Sequence, residues 1–196
     1  MRHLLSLKEV SKREILSLID LATKIKRNPK KFSSSLQGKT LLMLFEKPSL
    51  RTHLSFEVAM FQLGGHAIFF DMHEAPLAKG KESISDTAKT ASAYVNIIVA
   101  RLFEHANIEE LAKNASAPVI NGLTNFSHPC QILSDLLTIR ERFGKLKGLK
   151  LAYFGDANDN IVHSLLYACP KAGIDLVICC PDKKEFRPLV SVVDFA

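Results

Sequence analysis

No stretch of the 196 residues is long and apolar enough to span a bilayer. The short apolar run in the opening MRHLLSLKEV is broken by charges before it could form the core of a secretion signal. The expectation is therefore a cytoplasmic protein with no membrane partner. Cysteine is scarce: Cys130, Cys169, Cys179 and Cys180 are the four, set among apolar residues without a Cys-x-x-Cys pair. Neither a disulfide framework nor a zinc site has that spacing, which leaves structural or incidental thiols and an expectation of no metal or other cofactor. Acidic residues are in deficit, 20 against 26 Lys and Arg, for a net charge of +6. That excess permits an anionic partner. Its densest run, KIKRNPKK from Lys24 to Lys31, has no interleaved aromatic rings and no accompanying nucleic-acid motif. A solvated helix end entering a loop at Asn28-Pro29 is favoured there over a nucleic-acid or other polyanion-binding module.

What is present is ordinary globular composition, 47% hydrophobic and 23% charged, enough for one full domain and part of another. Val10, Ile15, Leu18, Ile19, Ala22 and Ile25 recur at helical spacing, so an amphipathic helix is expected to begin near Ser6 or Ser11. Thr40 to Phe45 reads as a buried strand, and Leu54 to Leu63 as a helix ended by Gly64-Gly65. HAIFF is a further strand, Ser85-Asp86-Thr87 can cap a helix through Tyr94, and NIIVAR, NIEELAKNAS and APVING continue the alternation as strand, helix and strand. HPCQILSDLLTIRERFG is a long helix with Pro129 in its first turn. Strands and helices alternating at this pitch predict a doubly wound parallel α/β domain ending near Gly144, over residues 1–144. After the linker KLKGLK, residues 145–196 open an incomplete second α/β domain: LAYFG as strand, IVHSLLYACPKAG as crossover helix, IDLVICC as strand. Pro170 is expected to strain that helix or end it early. Two parallel strands with one sure helix leave a face to be covered, so completion by further chain is expected.

In an open α/β sheet, ligands sit beyond the carboxyl ends of the strands. Ser49, Arg51 and Thr52 follow the first core strand, Arg101 ends NIIVAR, and His128 and Gln131 follow PVINGL. Taken singly, Ser-x-Arg-Thr is a helix cap with a surface arginine, Arg101 a solvated strand end, and His-Pro a common helix start. Together they suit a phosphate joined to a polar carbonyl group, because cationic side chains, hydroxyls and free helix N–H groups all meet oxygen anions.

FEKPSLRTHLSFEVAMFQLGGHAIFF, SISDTAKTASAYVNIIVARLFEH, PVINGLTNFSHPCQILSDLLTI and LKGLKLAYFGDANDNIVHSLL resemble the carbamoyltransferases. Within that family the FEKPS lead-in and the cysteine of HPCQ are similar to the ornithine branch rather than the aspartate branch. The resemblance implies attack of the ornithine δ-amine on the carbonyl carbon of carbamoyl phosphate, giving citrulline and phosphate without a metal or covalent intermediate. It implies that Ser49, Leu50 (through its backbone), Arg51 and Thr52 hold the phosphate. Arg101 and His128 would polarise the carbonyl, Gln131 would bind the carbamoyl amino group, and Asn160 would meet the ornithine amino-acid end. It further implies a homotrimer or higher homo-oligomer.

The chain departs from the family pattern in three places. Leu50 and His53 stand where the family's Ser-Thr-Arg-Thr-Arg motif has Thr and Arg, and Leu50 removes one hydroxyl from the phosphate site. Pro76 stands where the loop DMHEAPLAKGKES would lend a polar side chain to a neighbouring subunit, with His73 or Lys79 as substitutes. The sequence stops before the family's remaining ornithine-binding motifs, which keeps open a non-catalytic carbamoyl-phosphate binder, as a truncated paralogue or a fragment.

Overall fold

The computed structural model describes residues 2–74 and 82–195. The chain divides into two compact units, Met1–Leu5 with Ile25–Thr124 and Ser6–Lys24 with Asn125–Ala196. In the first, the parallel strands β1 (Thr40–Phe45), β2 (His66–Asp71), β3 (Ile97–Arg101) and β4 (Val119–Leu123) lie in the order β2-β1-β3-β4. The two central strands are continuous apolar runs, as burial on both faces requires. Side chains alternate across a strand. Accordingly Leu41, Met43 and Phe45 pack with Phe56 and Met60 of α2 (Leu50–Gln62) on one face. Leu42 and Leu44 pack on the other with Ala88 of α3 (Ile84–Tyr94) and Ile108 and Leu111 of α4 (His105–Asn114). This is the doubly wound α/β arrangement expected from the sequence. The first residues extend the sheet: Leu4 N–H donates to the Val119 carbonyl at 2.9 Å, and Asn121 N–H donates to the Leu4 carbonyl at 2.8 Å.

Two local expectations need correction. The N-cap of α3 is Ser83, whose side chain accepts from Asp86 N–H at 3.0 Å, two residues earlier than the Ser85-Asp86-Thr87 cap. Pro170 does not end its helix, which runs on to Ala172 before the left-handed Gly173 closes it. A proline in the last turn forfeits one hydrogen bond, and Gly173 N–H takes the Cys169 and Pro170 carbonyls.

The second unit contains most of α1 (Lys12–Arg27), α5 (Pro129–Phe143), the parallel pair β5 (Lys150–Phe154) and β6 (Asp175–Cys179) joined by α6 (Asn160–Ala172), and the short α7 (Val190–Val193). A reciprocal cap starts α1: Ser11 N–H donates to Glu14 Oε2 at 2.9 Å and Glu14 N–H to Ser11 Oγ at 3.4 Å. Arg140 of α5 reaches Asp20, Thr23 and the Ile19 carbonyl of α1. These bonds fasten α5 to α1 within the second compact unit.

Candidate functional site

Beyond Phe45 the chain turns through Glu46-Lys47-Pro48 into α2. Ser49 is the N-cap in extended conformation; its Oγ accepts from Thr52 N–H at 3.3 Å and donates to Thr52 Oγ1 at 2.9 Å. The first N–H groups of α2 have no acceptor within the helix, so this turn carries partial positive charge. Leu50 is 75% exposed. His53 is engaged elsewhere, 3.0 Å from Glu57 and stacked on Phe69 at 4.1 Å.

Arg101, the last residue of β3, is only 8% exposed. Its Nε donates to the Lys47 carbonyl at 3.0 Å, while its own carbonyl accepts from Glu46 N–H at 2.9 Å. Glu46 Oε2 in turn accepts from Phe103 N–H at 2.8 Å, so the ends of β1 and β3 are stitched together around the guanidinium. Burial first, and the charge of Arg51 second, hold the Arg101 guanidinium below its ordinary pKa. Among the described residues no carboxylate pairs with either arginine. Two cations at one end of the sheet without a paired carboxylate form an arrangement that gains from an anion. A cavity of about 200 Å³ near the ends of β1 and β3 is lined by Leu44, Met72, Ile84, Leu102 and Leu111 together with Glu46, His73, Thr87 and Asn107; largely apolar walls and a carboxylate do not suit a phosphate.

In the second unit, His128 stands at the N-cap position of α5, and its N–H donates to Ser164 Oγ at 2.9 Å. The same Ser164 hydroxyl donates to the Asn160 carbonyl at 2.7 Å and lies 3.3 Å from Ser127 Oγ. His163 Nδ1 is 3.0 Å from the Phe126 carbonyl. The turn from Phe126 to His128 is thereby fastened to the first turn of α6, where Asn160 follows the Asp159 cap. Gln131 Nε2 donates to Asp135 Oδ1 at 2.8 Å on α5. Cys130 is half-buried, and burial pushes its thiol up to about 12, so it keeps its proton at neutral pH.

Ser49, Leu50, Arg51, Thr52 and Arg101 thus belong to the first unit, and His128, Gln131 and Asn160 to the second. The backbone carbonyl of Lys47, the hydroxyl of Ser164 and the carboxylate of Asp135 were not anticipated. For Ser164 a signal existed: it is a hydroxyl within the apolar run IVHSLLYA, and it is fully buried. His73 ends no ladder and donates its N–H to Asp71 Oδ1 at 2.9 Å; Pro76 and Lys79 lie outside the described residues.

Residues 2–141 match the carbamoyl-P binding domain of aspartate/ornithine carbamoyltransferase, and residues 147–196 match the Asp/Orn binding domain. The chain is 49% identical over 193 residues to ornithine carbamoyltransferase of Cenarchaeum symbiosum, covering 98% of this chain and 63% of the relative. Its fold superposes on ornithine carbamoyltransferase from Pyrococcus furiosus with a TM-score of 0.93 at 44% identity, over 99% of this chain and 61% of that one. The catalytic subunit of M. jannaschii aspartate transcarbamoylase is also similar, with a TM-score of 0.87 at 35% identity, over 99% of this chain and 64% of that one. The chain therefore spans about three fifths of the length of these relatives.

Proposed function

This chain belongs to the aspartate/ornithine carbamoyltransferase family, and from that premise we propose that it serves transfer of the carbamoyl group of carbamoyl phosphate to the δ-amine of ornithine. The observation that carries the reading is that Arg101, in register with Phe45 at the end of β1, and Arg51, in the first turn of the helix that follows β1, lie at the same end of one parallel sheet with no carboxylate pairing either among the described residues. Ser49, Arg51, Thr52 and the backbone N–H of Leu50 hold the phosphate. Arg101 and His128 polarise the carbonyl oxygen and stabilise the charge it gains as the amine attacks. Gln131 holds the carbamoyl amino group, and Asn160 the amino-acid end of ornithine. As the C–N bond forms, the C–O bond to phosphate breaks and the proton lost by the amine ends on the departing phosphate, giving citrulline and inorganic phosphate. Only the neutral amine attacks, so the rate rises with pH toward the amine's pKa. The family domain matched over residues 2–141 contains every residue assigned to carbamoyl phosphate, and the domain matched over 147–196 contains Asn160. This supports carbamoyl-phosphate binding by residues 1–144 and ornithine binding by 145–196.

Ornithine is favoured over aspartate by the FEKPS and HPCQ segments and by the names of the relatives with the higher identities. The reading carries with it a role in arginine metabolism and a cytoplasmic setting; among the described residues no helix is long and apolar enough to cross a membrane. It also carries a homo-oligomer, a trimer by family pattern. Leu50, Leu54, Val58 and Phe61 recur along α2 at 45–81% exposure, and exposed apolar residues at this spacing support a protein partner for that helix. The test is citrulline formation by the purified chain supplied with carbamoyl phosphate and ornithine at mildly alkaline pH, with aspartate as the competing acceptor. Turnover with ornithine alone supports the reading. Turnover with aspartate alone contradicts it, and ligand binding without turnover leaves a carbamoyl-phosphate binder.

A further inference from the structure

Gln131 and Asp135 stand one turn apart on α5, with Gln131 Nε2 donating to Asp135 Oδ1 at 2.8 Å. A carboxylate offers lone pairs and no proton, so of the two ends of the Gln131 amide only the NH2 can face it. The pair therefore sets the polarity of the amide. Its NH2 is taken within the helix, and Oε1 is left as an acceptor. Without the carboxylate the two ends have nearly the same shape, and a half-turn about the last torsion exchanges acceptor for donor. Asp135 is itself half-buried: burial pushes its carboxyl up from the ordinary value, and the Gln131 bond draws it back down. A carboxylate short of water leans on the donor it has, which keeps the amide from turning over.

We infer that Asp135 is a specificity-determining positioning residue: by holding the Gln131 NH2 it presents Gln131 Oε1 to the amino group of carbamoyl phosphate and so favours a carbamoyl over an acetyl group. The inference rests on the role proposed above for Gln131. Its competitor is an ordinary helix pair of Gln with Asp at i, i+4, which steadies α5 and leaves ligand choice untouched.

Two stable phosphonates separate these roles. Phosphonoacetamide and 2-oxopropylphosphonate differ only in carrying NH2 or CH3 on the carbonyl, and each can be titrated calorimetrically into the full chain. The chain is expected to prefer the amide by roughly five- to tenfold, the effect of one hydrogen bond. Asp135→Asn keeps the shape and a hydrogen bond, yet its own amide can meet either end of Gln131. The preference should fall by about half, to roughly 2.5- to fivefold, while thermal stability is nearly unchanged. Asp135→Glu keeps an acceptor-only partner and should retain most of the preference. Gln131→Leu should abolish it, and the double variant should lose no more than Gln131→Leu alone, since the two residues act as one unit. If Asp135→Asn does not fold, Asp135→Ser is read in its place with the same expectation.

Retention of the full preference in Asp135→Asn, alongside its loss in Gln131→Leu, overturns the inference and leaves the helix pair. Retention in Gln131→Leu overturns both the inference and the role of Gln131. The phosphate site is judged separately, by whether Arg51→Ala weakens binding of both phosphonates equally.

Discussion

Replacing Arg101 by methionine distinguishes a residue kept for binding from one kept for stability. Arg101 is 8% exposed as a residue, its guanidinium is held below its ordinary pKa by burial and by the charge of Arg51, and it is unpaired with any carboxylate among the described residues. Its bond to the Lys47 carbonyl is worth about 1.5–3 kcal/mol, as a hydrogen bond to a charged group. Holding the charge away from water costs several kcal/mol. Lys47 is exposed, so water can take its carbonyl once the donor is gone, and methionine refills most of the aliphatic volume. The terms nearly cancel, and unfolding free energy should change by no more than about 1 kcal/mol, with stabilisation the favoured sign. Binding should respond very differently. Loss of the charge-assisted bond proposed to the carbonyl oxygen costs about 1.5–3 kcal/mol, roughly ten- to a hundredfold in Kd for carbamoyl phosphate. Urea unfolding followed by circular dichroism measures the first quantity and calorimetric titration the second. Destabilisation beyond about 3 kcal/mol would identify Arg101 as a structural ion, since that is the cost of breaking a buried pair. An unchanged Kd would remove it from the site.

Three further predictions bear on the same account. Leu50→Thr restores a hydroxyl at the exposed first position of α2 and should tighten carbamoyl-phosphate binding by about fivefold, read by the same titration; a weaker or unchanged Kd would show that only the backbone matters there. Burial pushes the Cys130 and Cys169 thiols up to about 12. A disulfide reagent at neutral pH should therefore label the exposed Cys179 quickly, the half-buried Cys130 much more slowly, and the buried Cys169 only when the chain unfolds. His3 Nδ1 accepts from Val119 N–H at 3.1 Å and so must be unprotonated, and burial lowers its pKa from 6.5. A lowered folded pKa means that this contribution to stability is present above the unfolded value and is lost as pH falls below it. The melting temperature of His3→Phe should accordingly depend less on pH between about 7 and 5 than that of the parent, in keeping with the usual histidine range.

The strand, cap and helix around Ser49 were legible because three local signals coincide: a continuous apolar run, a hydroxyl cap and a glycine pair that ends the helix at Leu63. The cap of α3 was misplaced because Ser83 and Ser85 both precede an apolar pattern, and only the bond to Asp86 N–H separates them. The contact between α1 and α5 was not readable at all. It depends on Arg140 meeting Ile19, Asp20 and Thr23 across more than a hundred residues of sequence, and periodicity reports which face of a helix is apolar without naming the partner. In the site, side chains with charge or hydroxyls at strand ends stood out. The Lys47 carbonyl that orients Arg101 did not, since any residue could supply it.

The claim that the turn from Ser49 to Thr52 seats a phosphate is tested most directly by titrating carbamoyl phosphate into the parent chain and into Arg51→Ala. The account predicts saturable binding by the parent and its loss in the variant with the fold intact. Equal binding by both would contradict it.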